Sequence, residues 1–196
     1  MARVDAFCVD REYINEKKLL GKPVMPYENL GVMCPPGEFD VILGVGFAGK
    51  GKLRITRFEE LTDLGYKFVS CISKYAVVWN KSNIGLGTTV SAGCYISSSA
   101  VIRENVYIGA NSVVPHDCVI SEHVFMSAGV ILSGKVTIKR GAFLGTGCVV
   151  RNGITIGENT IIGAGAVLLE DAEDNAVYMS PVAEKLPLKR DAIDME

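Results

Sequence analysis

Residues 156–167 read IGENTIIGAGAV, two six-residue units laid end to end. Each unit opens on an aliphatic residue and a glycine and carries a glycine or asparagine fourth and a small residue fifth. The same unit appears as IGLGTT at 84–89 and IGANSV at 108–113. Stepping by six from Ile72 to Leu168 meets an apolar side chain at all seventeen positions, with no residue inserted or deleted. Chance does not produce such a run, so the period of six is a structural constraint.

The remaining positions of the hexad explain why. The fourth is a corner, filled by residues that tolerate positive φ, among them Gly87, Gly93, Asn105, Asn111, Gly129, Gly141, Gly147, Gly153, Asn159 and Gly165. The fifth is small or β-branched, as at Ala76, Thr88, Cys94, Ser112, Cys118, Cys148 and Ala166, and is expected to point inward beside the aliphatic residue. Short strands joined by corners, with two inward side chains each, describe a parallel β-helix. Three hexads make one triangular coil, so residues 18 apart stack in columns with a spacing of about 4.8 Å.

Composition sets the limits. The chain has 196 residues, of which 48% are hydrophobic and 21% charged, enough for a sizeable core. A net charge of −2 with scattered Lys and Arg supplies no footprint for nucleic acid or for an anionic membrane surface. The first residues carry charges in place of an apolar signal core and no long uncharged apolar run follows, so a cytoplasmic protein without membrane insertion is expected. Six cysteines without CxxC spacing argue against a zinc site or a disulfide framework. Cys94, Cys118 and Cys148 share the small inward position and read as buried thiols.

Both histidines lie in the stretch VVPHDCVISEH, 113–123. His116 is third in its hexad; the 18-residue step sets Ser98 one coil below it, Gly134 one coil above and Asn152 one further. A histidine beneath a glycine leaves a notch where a ligand can approach backbone N–H groups, which suits a general base beside an oxyanion donor. Asp117 follows immediately and can orient the imidazole. His123 is fourth in its hexad, a corner, and is expected to be exposed. Cys118 is an inward residue, not a nucleophile. The third residues of another face, Ala128, Thr146 and Ala164, are small and leave a groove for an extended arm.

Before Ile72 the period changes. VDAFCV and FDVILGV read as buried strands, KLRITRFEELTDLGY as a helix ending at a glycine, and KFVSCI as a strand entering the repeat. Gly44, Gly46 and Gly49 form G-x-G-x-x-G between a strand and a helix, a weak signal for a phosphate loop.

The hexads resemble those of the hexapeptide acyltransferases, and PHDCVISEHVFMSAGVILSGKVTI with FLGTGCVVRNGITIGENTIIGAGAVL resembles nucleotide-sugar N-acetyltransferases of the PglD/NeuD type. The resemblance implies a mainly β chain: a left-handed parallel β-helix over 71–175, a small Rossmann-like α/β nucleotide-sugar-binding domain over 1–70, and a C-terminal cap over 176–196. The usual first strand of that domain and its glycine-rich turn have no counterpart here. It further implies a homotrimer that uses acetyl-CoA and no metal. His116 would be the base, Asp117 its orienter and the Gly134 N–H the oxyanion donor. Gly134, Thr146 and Ala164 would contact CoA between subunits, and Asp10, Gly44 and Gly46 the nucleotide-linked sugar. The expected activity is N-acetylation of a UDP- or dTDP-linked 4-amino-4,6-dideoxy sugar for bacterial surface glycans. Sugar O-acetylation and a non-catalytic binding β-helix remain alternatives. A γ-carbonic anhydrase needs three histidine ligands, and the chain holds two histidines.

Overall fold

The computed structural model describes residues 3–183; residues 184–196, part of the expected cap, lie outside the described residues. Two-residue strands, each formed by the sixth residue of one hexad and the first of the next, stack into three parallel sheets. One has seven strands, from Cys71–Ile72 to Val177–Tyr178; the second has six, from Val77–Val78 to Val167–Leu168; the third has four, from Val101–Ile102 to Thr155–Ile156. Pairings such as Phe125 with Phe143 and Phe143 with Ile161 hold the 18-residue register.

At the top the register tightens. Ile161 pairs with Val177 and Ile156 bridges to Ala172, so the last coil is two residues shorter than the others. Two aspartates stand in for the missing backbone: Asp171 Oδ1 accepts from Thr155 N and Asp174 Oδ1 from Glu158 N, both at 2.8 Å. The strand at Val177–Tyr178 therefore continues the helix into the stretch read as cap.

The interior is the two inward columns. The aliphatic first residues from Val90 to Leu168 are buried, with Cys94, Cys118 and Cys148 beside them as free thiols. Burial raises the Cys148 thiol to about 11, which keeps it protonated and inert. Ile72, Val78 and Ile84, in the first coil, are only partly buried because among the described residues no strand pairs beneath them. Corners take left-handed φ at Asn105, Asn111, Asn159 and the glycines, as the sequence requires, but also at Asp117, His123 and Lys135. Those three stand where ten other corners carry glycine or asparagine.

The first seventy residues form a small α/β unit. Strands β1 (Phe7–Val9) and β3 (Lys22–Pro26) pair in parallel, and β2 (Lys18–Leu19) pairs with β3 as a hairpin. Helix α1 spans Leu30–Met33 and helix α2 Lys52–Asp63, followed by Gly65 at φ 86°. The expected strand at 39–45 makes only short pairings, its central one a parallel bridge from Val41 to Phe68.

This unit lies against the seven-stranded sheet and the corner beside it. Tyr107, Phe125 and Phe143 stack as a ladder on the outer face, and Phe47 from the glycine-rich loop packs over it, 3.9 Å from the Phe143 ring centroid. Phe58 of α2 stacks on Phe68 at 4.2 Å. Arg54 of α2 is buried and donates to the carbonyls of Leu43, Val45 and Gly87, tying loop, helix and β-helix together. No helix among the described residues is long and apolar enough to cross a membrane.

Candidate active site

His116 and Asp117 turn the corner between the six-stranded and four-stranded sheets, one coil beneath Gly134. The His116 Nδ1 lies 3.0 Å from Asp117 Oδ2, and both side chains are more than half exposed, at 59% and 53%. Nδ1 donates when it carries the proton, which leaves Nε2 as the free base. Hydrogen bonding from the His116 ring, then from the Ser99 hydroxyl, holds the Asp117 carboxyl below its ordinary value, and Lys135 adds a weaker attraction. Asp117 therefore stays ionised through the neutral range, as an orienting group must.

Gly134 is tied to this ring by sterics. A Cβ on Gly134 would stand 2.4 Å from His116 Nε2 and 2.5 Å from Cε1. The space above the histidine is thus filled by the imidazole itself, and only a residue without a side chain lets the ring stand upright there. The Gly134 N–H finds no acceptor among the described residues, so it remains free for a ligand.

The other expected site residues do not join this cluster within one chain. Ala128, Thr146 and Ala164 stack at the corner between the seven-stranded and six-stranded sheets, a different edge of the triangle. They are exposed, and a Cβ on the adjacent Gly147 would meet no atom within 4 Å, so the column is a bare trough. Its upper end is engaged: Ser180 Oγ donates to the Ala164 carbonyl at 2.8 Å. Gly44 and Gly46 are exposed in the loop that carries Phe47 to the β-helix.

Asp10 lies at a third place, a shallow groove of about 570 Å³ bordered by Tyr27, Glu28, Arg57, Glu60, Asp63 and Leu64. Its Oδ1 accepts from Arg57 Nη2 at 2.6 Å, while Arg57 Nη1 donates to Glu60 at 2.7 Å and the guanidinium covers the Tyr27 ring at 3.9 Å. Burial, then the Glu60 contact, lifts the Tyr27 hydroxyl to about 12. Sequence reasoning singled out Asp10 and missed its partners; Arg57 and Glu60 sit three apart on α2, a visible i,i+3 pair without a mark of function.

His123 corrects its expectation. It is half-buried, not exposed, with Nδ1 2.8 Å from Asn105 Nδ2 and its ring edge-on to Phe58 at 5.5 Å. Burial, then the nearby Arg140 charge, pushes its pKa down. The corner is covered because α2 packs on it, a tertiary contact that the hexad pattern does not encode. Among the described residues no group of three or more His, Cys, Asp or Glu side chains could hold a metal ion.

Comparison with known proteins places the fold in a family. The model for the bacterial transferase hexapeptide (six repeats) matches residues 99–134 and 135–170. PerB from Caulobacter crescentus, solved with CoA and GDP-perosamine, is 31% identical over 84% of this chain and 78% of its own, with a TM-score of 0.76. The chain belongs to the hexapeptide-repeat nucleotide-sugar acetyltransferases. The acetyltransferase domain of PglB from Neisseria gonorrhoeae, solved with acetyl coenzyme A, is 28% identical over 92% of this chain and 85% of its own, TM-score 0.74. WeeI from Acinetobacter baumannii, 24% identical over 88% of this chain and 81% of its own with TM-score 0.78, shares the fold. No curated protein matches the chain.

Proposed function

We propose that this family member transfers the acetyl group of acetyl-CoA to the amine of a nucleotide-linked amino sugar. The observation that carries the reading is the upright imidazole beneath Gly134, anchored at Nδ1 by Asp117. His116 Nε2 takes the proton as the amine nitrogen bonds to the thioester carbonyl carbon. The Gly134 N–H donates to the developing oxyanion. Collapse of that adduct breaks the carbon–sulfur bond, and the CoA thiolate recovers the proton from the imidazolium. The products are the N-acetyl sugar and CoA, and no covalent acyl-enzyme is needed.

Gly134 would contact the acetyl end of CoA, and the bare trough over Thr146 and Ala164 fits a narrow pantetheine arm because a chain of that width needs little clearance. Since that trough and His116 occupy different edges of one chain, a complete site takes the trough of a neighbouring copy. A homotrimer supplies it. Exposed Val77, Tyr95, Ile131 and Val167 on the outer face of the six-stranded sheet support such an interface. In this reading the β-helix over 71–175 is left-handed, as the family is, and 176–196 closes it. The unit over 1–70 is a Rossmann-like domain that receives the nucleotide, with Asp10 Oδ2 unbonded among the described residues and available to a hydroxyl, and Gly44 and Gly46 open to phosphate. UDP and dTDP are the nucleotides expected from the sequence, and PerB adds GDP as a third. The enzyme would act in the cytoplasm, where acetyl-CoA and activated sugars are made.

The test is CoA release from acetyl-CoA with GDP-, UDP- and dTDP-linked 4-amino-4,6-dideoxy sugars and their 4-hydroxy counterparts. Turnover with an amino sugar is expected, and His116→Ala should lower it at least a thousandfold while CoA still binds. Activity retained in His116→Ala, or acetylation of the hydroxy sugars alone, overturns the reading.

A further inference from the structure

The corner at Asp117 departs from its neighbours. At Asn105, Asn111, His123, Gly129 and the corners from Lys135 to Gly165 the N–H of the fourth hexad residue donates to the carbonyl of the third residue in the coil below, whereas lower down Gly93 N donates to Tyr75 O at 3.1 Å. His123 N bonds to Glu104 O at 3.1 Å, Lys135 N to His116 O at 3.0 Å and Gly153 N to Gly134 O at 3.0 Å. By that pattern Asp117 N should reach Ser98 O. It donates instead to the side-chain Oγ of Ser99, at 3.0 Å.

Two local features account for the exception. The Ser98 carbonyl is turned toward Asn83, accepting from its Nδ2 at 3.2 Å, and the same amide group holds the Ala100 carbonyl at 3.2 Å. Ser99 also lacks the left-handed φ found at Asn105, Asn111, Asp117, His123 and Lys135. The chain turns there through an Ala100 N to Ser97 O bond of 3.2 Å, which lifts the Ser99 hydroxyl under the next coil.

We propose that Ser99 is a positioning residue for the reaction: its hydroxyl receives the Asp117 backbone N–H and fixes the left-handed corner from which the carboxylate reaches His116 Nδ1. This rests on the assignment of His116 as the base. A non-glycine residue at positive φ is held there only by its surroundings. Asp117 is more than half exposed, so few packing contacts hold it, and the bond to Ser99 takes their place. Ser99 touches neither reacting atom and acts through Asp117 alone.

Ser99→Ala removes the acceptor of the Asp117 N–H, and with it the hydroxyl beside the Asp117 carboxyl, without adding bulk, and Ser99→Thr restores both. With the corner loosened, the carboxylate spends less time on Nδ1, and the neutral imidazole shifts toward the Nε2–H form, which is not a base. The expected result for Ser99→Ala is a fall in kcat of about tenfold, the factor one net hydrogen bond commands, with KM for acetyl-CoA unchanged and recovery in Ser99→Thr.

The imidazole ¹⁵N spectrum of the full chain supplies the second readout. It contains two rings, that of His116 being the one lost in His116→Ala. Ser99→Ala should move His116 from the Nδ1–H to the Nε2–H pattern. Wild-type kcat and an unchanged tautomer in Ser99→Ala overturn the proposal while a dead His116→Ala leaves the base assignment standing. A fall in kcat without a tautomer change, or one that Ser99→Thr fails to restore, assigns Ser99 to scaffolding only and also overturns it. An active His116→Ala removes the base assignment itself.

Discussion

Gly134→Ala separates the chemistry of the dyad from the stability of the coil. Gly134 does not sit at positive φ, so alanine adopts its backbone conformation without strain. The difficulty is the added Cβ, 2.4 Å from His116 Nε2, whereas carbon and nitrogen atoms rest about 3.5 Å apart. The ring must therefore retreat by about 1 Å. Because the His116 side chain is 59% exposed, it can swing toward solvent at the cost of an off-rotamer angle, about 1 kcal/mol at most. That retreat stretches the 3.0 Å bond to Asp117 Oδ2 beyond hydrogen-bonding range. A misplacement of this size costs roughly a hundredfold in rate, or about 2.7 kcal/mol of barrier. Steady-state kinetics should show that loss in kcat, with thermal melting within about 3 °C of wild type. In the His116→Ala background the same alanine should cost nothing further, since the clash is with a ring no longer present. Wild-type kcat in Gly134→Ala refutes the argument, as does a large drop in melting temperature, which would mean that the coil and not the ring absorbs the clash.

Two further predictions concern the seam between α2 and the β-helix. Arg54→Met leaves the carbonyls of Leu43, Val45 and Gly87 without their donor, and an unsatisfied set of this kind costs about 3 kcal/mol. Hydrogen exchange in α2 should accelerate about a hundredfold while the central coils keep their protection. His123 gives a pH dependence: its folded-state pKa lies below the ordinary 6.5 because burial penalises the cation. The unfolded chain therefore binds the proton first, so this stability is complete above about 6.5 and is lost as pH falls through the folded-state value. Denaturant melts of wild type and His123→Asn from pH 7.5 to 5 should diverge only at the acid end; parallel curves would show that His123 does not titrate against the fold.

The hexad made the β-helix legible because its signal is redundant. One apolar residue at seventeen successive six-residue steps does not keep to one face of a helix of period 3.6, and a continuous strand of period 2 would not need a corner residue in every hexad. The pairing of His116 with Gly134 was legible for the same reason, since an 18-residue step converts sequence distance into spatial contact. What escaped lies where that conversion fails. The shortened last coil follows from Asp171 and Asp174 replacing backbone acceptors, and aspartates outside the hexad frame carry no marker. His123 is half-buried because α2 docks on its corner, a contact between segments of unrelated period. Ser99 is one of several corner residues that are neither glycine nor asparagine, and nothing in the hexad marks it out; its consequence appears only when the Asp117 N–H is followed to its acceptor.

The glycine-rich loop shows how a motif acquires a different meaning from its surroundings. G-x-G-x-x-G before a helix suggests phosphate on the helix N-terminus. Here Gly51 holds a φ of 80°, and a Cβ there would strike the Phe47 ring at 2.9 Å. Phe47 in turn stacks on Phe143 at 3.9 Å, so at this end the loop is built to let an aromatic anchor fold back onto the β-helix. Gly44 and Gly46, by contrast, have nothing within 4 Å of an added Cβ, and neither sits at positive φ. Their backbone conformation and near surroundings do not demand glycine. Docking of the N-terminal unit therefore rests on Phe47 and on Gly51, two residues past the motif, while Gly44 and Gly46 at its start are left exposed for the phosphate contact proposed above.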